Sequence, residues 1–65
     1  MYNLGNIVEY TRGNGIISSG RIVEIVLREN EPILYTLHDT YLDTLGGNVL
    51  VSEHGVRPCP EYDPN

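Results

Sequence analysis

The sequence has no lysine, no tryptophan and no phenylalanine, and a single cysteine, Cys59. Each absence excludes something. One cysteine cannot form an internal disulfide, so the chain is not a stapled secreted mini-protein. Without lysine, only Arg12, Arg21, Arg28 and Arg57 oppose nine acidic residues, giving a formal charge of −5 and a pI near 4.6. That balance argues against a nucleic-acid partner, because phosphate-backbone binding draws its affinity from clustered basic side chains that release counterions. No apolar run approaches the ~18 residues of a membrane-spanning helix. Met1 to Gly5 carries no basic stretch and no apolar segment follows it, so a secretory signal is not expected, and a cytoplasmic, soluble protein is. Helical patterning is also missing, since no segment of ten or more residues keeps a 3.6-residue period.

What the chain does have is dense glycine punctuation, seven residues in 65, between short runs rich in Ile, Val, Leu, Tyr and Thr. Such runs read as strands. Asn6 to Tyr10 is the first, Gly20 to Arg28 the second, Ile33 to His38 the third, Asn48 to Ser52 the fourth and Val56 to Pro58 a short fifth. Asn14-Gly15 suits the positive φ of a tight turn, and Pro32 marks the start of a strand. Residues 39 to 47 read either as an irregular excursion, which is favoured, or as an extension of the sheet closed by Gly46-Gly47. The spacing predicts one all-β domain over residues 1–58, a five-stranded small barrel or two orthogonally packed sheets, followed by an extended tail over 59–65. A chain this short buries only about 60% of its unfolded surface, so its core is thin.

The second strand, "GRIVEIVLR", sets a specific problem. With period two, apolar residues fall on both faces. A bulge that shifts the phase lets Ile22 and Ile25, three apart, both point inward, and Gly20 eases the bend. Val23, Val26 and Leu27 cannot all be inside as well. They are expected to leave apolar area on the outer face, a hint of self-association or of a docking surface.

"GNIVEY", "GRIVEI", "ILYTL", "NVLVSEHGV" and the closing proline together resemble the SH3-like small barrels of the Tudor and KOW type, across most of residues 5 to 58. The resemblance implies a five-stranded SH3-like barrel and, by analogy, a binding module. In Tudor-like modules aromatic side chains hold a methylated cation; here the candidates are Tyr10, Tyr35 and Tyr41, with Asp39 or Asp43 as the acidic wall. The SH3-like type II dihydrofolate reductases carry a Val-Gln-Ile-Tyr signature that is missing near "NVLVSEHG", so their activity does not transfer. Small acidic single-barrel chains also resemble accessory proteins of phages and plasmids.

Catalytic and metal constellations are weak. "RGNGIISSG" lacks the third glycine, the Lys-Ser or Lys-Thr pair and the following helix of a phosphate cradle. His38, His54, Asp39, Glu53 and Cys59 show no zinc spacing. The pairs Glu29/Glu31 and Glu61/Asp63 flank a turn and lie in the tail, where nothing splits their pKa values. No metal or cofactor is expected, and a non-enzymatic role is favoured. The expected contact residues for a protein partner or a second copy are Tyr10, Val23, Val26, Leu27, Tyr35 and Tyr41. The alternative is a homo-oligomer, enzymatic or sequestering, whose interfacial pocket holds a small nucleotide-like anion through Arg12 or Arg21. A third reading, imitation of nucleic acid, requires carboxylates along one exposed ridge.

Overall fold

The computed structural model describes residues 2–39 and 47–59, and buried positions alternate with less buried ones along Ile7–Thr11 and Leu34–His38. Strands β1 (Ile7–Thr11), β2 (Ile17–Val26), β3 (Leu34–His38), β4 (Asn48–Ser52) and β5 (Val56–Pro58) form one antiparallel sheet in the order β4-β3-β2-β1-β5. A single 3-10 turn, Glu53–Gly55, joins β4 to β5; the Ser52 hydroxyl caps it by accepting from the His54 amide at 3.2 Å. The all-β class is as the sequence predicts. The sheet is not closed: among the described residues β4 and β5 are its two edges and do not pair with each other.

The second strand begins earlier than its composition suggests. Ile17, Ser18 and Ser19, read as loop, pair with Thr11, Tyr10 and Glu9, because the β1–β2 connection is tighter than expected. The Arg12 amide donates to the Ile16 carbonyl at 2.8 Å and the Gly15 amide to the Arg12 carbonyl at 2.9 Å, which leaves three residues in the loop. Gly15 takes the left-handed conformation (φ 86°) such a loop requires at its last residue. At the other end β2 stops at Val26, short of the expected Arg28, and Asn30 (φ 62°) supplies the left-handed residue of the turn into β3.

Ten residues long, β2 serves two neighbours. Its first half pairs with β1 and its second with β3, and Arg21 is matched to both Ile7 and His38. Gly20 sits where this happens. A Cβ there would stand 3.1 Å from the His38 carbonyl oxygen and 3.2 Å from the Leu37 Cβ, so no larger residue fits without movement of β3. The register then slips between Ile22 and Glu24, with Val23 as the extra residue. The slip resolves the two-faced pattern: Ile22 is buried, and Ile25 packs against the same core.

That core lies on one face of the sheet. Val8 and Tyr10 of β1, Ile22 of β2, and Tyr35 and Leu37 of β3 form it, flanked by Tyr2, Ile25, Ile33, Val49, Val51 and Val56. Each fully enclosed aliphatic contributes roughly 1.5–3 kcal/mol relative to exposure. Tyr2 closes one end, its ring edge-on to Tyr35 at 5.9 Å between centroids and its amide donating to the Tyr35 hydroxyl at 3.1 Å. Cys59, at the start of the expected tail, is a buried free thiol. The rest of that tail, residues 60–65, and the course expected for 40–46 lie outside the described residues; Asp39 and Gly47 meet through an amide-to-carbonyl bond of 2.8 Å.

Candidate functional site

Two of the residues expected to make external contacts face inward. Tyr10 and Tyr35 are buried, because positions 8 and 10 of β1 and 35 and 37 of β3 share the core face. Their hydroxyls are engaged inside: Tyr10 donates to Asp39 Oδ2, and Tyr35 accepts from the Tyr2 amide. Neither ring is open to a methylated cation, and Asp39, only 1% exposed, is no acidic wall. Tyr41 and Asp43 lie outside the described residues.

Around Asp39 the geometry is that of a buried ion pair. Arg12 Nη2 stands 3.2 Å from the carboxylate oxygen that accepts from Tyr10, and the Arg12 side chain is 17% exposed. Burial first, and then the bond to and charge of Asp39, raise the Tyr10 phenol above its ordinary value, while Arg12 pulls the other way. Burial disfavours the Arg12 cation, but its hydrogen bonds to Asp39 and Tyr10 outweigh that and raise its pKa. The phenol is thus held neutral beside a charged guanidinium, and the cluster joins β1 to the end of β3.

Arg12 and Arg21, the two candidate anion ligands, do not converge. Arg12 reaches the core side with Tyr10, whereas Arg21 lies opposite His38 and Ile7 on the outer face, its Nη1 donating to the Gly5 carbonyl at 3.4 Å. Arg28 pairs with Glu31 at 3.8 Å and Arg57 with Glu9 at 3.2 Å, so each of the chain's arginines has a partner within the fold. A shallow depression of about 230 Å³ lined by Arg12, Ile16, Ile17 and Ser18 lies at the β1–β2 turn. Among the described residues no group of three or more His, Cys, Asp and Glu could hold a metal ion. His38 Nδ1 is 3.1 Å from Asn48 Oδ1 across the β3–β4 ladder.

The outer face carries the remaining expected residues. Because of the bulge, Val23 and Glu24 together oppose Thr36, and Thr36 in turn opposes Leu50; the next row is Val26, Leu34 and Ser52. Val23 is 45% exposed, Leu27, just beyond β2, 71%, and Leu50 53%, while Val26 and Leu34 are half-buried. The only charge within this strip is Glu24, whose carboxylate accepts from the Thr36 hydroxyl at 3.0 Å. Leu50 escaped the sequence reading, although strict alternation in "NVLVS" turns Val49 and Val51 inward and Leu50 outward. Among the described residues no helix is long and apolar enough to cross a membrane. Comparison with known proteins finds no matching family, no matching curated protein and no matching solved structure.

Proposed function

We propose that this chain is a non-enzymatic binding module, an SH3-like small barrel that uses the outer face of its sheet to hold a protein partner or a second copy of itself. The barrel reading draws on the strand order, the bulged β2 shared between two neighbours, and the 3-10 turn between β4 and β5. The observation that carries the function is the apolar strip of exposed Val23 and Leu50 with half-buried Val26 and Leu34, and exposed Leu27 at its end. On so small a chain, contiguous apolar surface is a cost that an interface removes. The interfacial anion pocket has less behind it, because Arg12 and Arg21 lie on opposite sides of the sheet and both are engaged.

Val26→Lys tests the reading. It places a charge in the strip at a half-buried position without touching the core, and it is expected to abolish association through the outer face while the circular dichroism spectrum stays unchanged. Association that survives the substitution sinks the outer face as the binding surface.

A further inference from the structure

The two edges of the sheet differ in how they are protected. β5 is three residues long, ends in Pro58, which has no amide hydrogen, and carries the Arg57–Glu9 ion pair, all devices that discourage another strand from pairing. β4 has none of them: it is five residues long, with neither charge nor proline. The backbone groups of β4 that have no partner among the described residues can be assigned. The Glu53 amide donates to the Ile33 carbonyl and the Asp39 amide to the Gly47 carbonyl, both at 2.8 Å. In the β3–β4 register these pairs share a parity with Tyr35–Val51 and Leu37–Val49. Antiparallel ladders alternate, so Val49 and Val51 spend their amides and carbonyls on β3, while Asn48, Leu50 and Ser52 direct theirs away from it, along the open edge.

We propose that β4 pairs antiparallel with β4 of a second copy about a two-fold axis through Leu50, joining the two sheets edge to edge. This keeps the binding-module reading above, with a second copy as the partner, but puts the contact at the strand edge and leaves the outer face open. In that register Leu50 faces Leu50, and Asn48 faces Ser52 of the second copy, so the outward-pointing groups of each strand meet outward-pointing groups of the other. A shift by one residue leaves them opposed to groups already used by β3. With the two-fold normal to the sheet, both Leu50 side chains emerge on the outer face, and the strips containing Val23 and Leu50 become continuous across the junction. β4 itself carries no charge, and the nearest acidic side chain of the outer strip is remote from the junction. Glu24 lies two strands in from the edge, so the two copies of it are separated by five strand spacings, about 24 Å, well beyond the screening length of about 8 Å at physiological salt. An interface built on one strand pair is small, which predicts a weak dimer that dissociates on dilution.

Three measurements test this. Sedimentation equilibrium of the full chain should show a concentration-dependent dimer; a chain that stays monomeric to millimolar concentration overturns the proposal and leaves the edge to a strand of another protein. Leu50→Pro removes an amide hydrogen that β3 does not use, so a folded monomer at every concentration is expected, and an undiminished dimer overturns the pairing. Should that variant not fold, disulfide trapping decides. In a Cys59→Ser background, Leu50→Cys should cross-link to its own copy, because facing residues lie about 5.5 Å apart, whereas Thr36→Cys, one strand further in, should not. Equal cross-linking at both positions, or at neither, overturns the register. Dimerisation abolished by Val26→Lys but indifferent to Leu50→Pro would uphold the outer-face reading and defeat the edge pairing, so the two fail separately.

Discussion

The hydroxyl of Tyr10 donates to Oδ2 of Asp39, tying the middle of β1 to the residue that follows β3, 29 positions along the chain. Arg12 meets the same oxygen, at 3.2 Å. The carboxylate is almost wholly removed from water, so the loss of either of these donors is costly.

Removing one donor should therefore cost more than an ordinary hydrogen bond. Tyr10→Phe keeps the ring in the core and deletes only the hydroxyl. The expected loss is about 1–3 kcal/mol in urea unfolding, the penalty of a buried acceptor left short of a partner. Tyr10→Phe in an Asp39→Asn background should cost less than it does alone, and a double-mutant cycle measures the difference.

The same bond fixes a pH dependence. Burial and Asp39 raise the Tyr10 phenol above its ordinary value of 10.0, so the folded state holds the proton more tightly than the unfolded one. The stability this contributes is fully present below pH 10.0 and is lost as pH rises through the higher folded value. Unfolding free energy should thus decline on the alkaline side, and more steeply than in Tyr10→Phe. Phenolate absorbance during titration checks this: a component ionising above pH 10.0 should disappear in Tyr10→Phe.

Gly20→Ala tests the close approach of β2 to β3. The added methyl meets a backbone oxygen and a core Cβ, neither the movable end of a long side chain, so a loss of about 1–3 kcal/mol is expected. Gly13→Ala is the control. Its Cβ meets nothing within 4 Å and its φ is not in the left-handed region, so thermal unfolding should be unchanged or slightly raised.

These cases show which features a one-dimensional reading reaches. The phase slip in β2 is legible because Ile22 and Ile25 stand three apart in a strand context, and only an extra residue between them satisfies both. The start of β2 is not, since two serines and a glycine read locally as loop. Opposite Tyr10 and Val8 on the core face, however, small residues are what the packing requires, and Ser18 and Gly20 stand there. The tyrosines show the limit most clearly. Tyr10 and Tyr35 look like contact residues because a buried phenol needs a hydrogen-bond partner, and the partners they find, Asp39 and the Tyr2 amide, are 29 and 33 residues away. The outer strip was half legible: Val23 and Leu27 follow from the surplus of aliphatics in β2, whereas Leu50 needed the register to bring it beside Thr36.

The strand order also bears on how the chain assembles. β1 through β4 are neighbours in sequence as well as in space, so each hairpin forms by closing a short loop at small entropic cost. β5 on β1 is the exception, bringing Arg57 to Glu9 across 48 residues. Its pairing is rewarded only once the intervening strands have shortened the path between them, which makes the C-terminal strand the last to dock and the first to detach. Native-state hydrogen exchange would find its amides the least protected in the sheet.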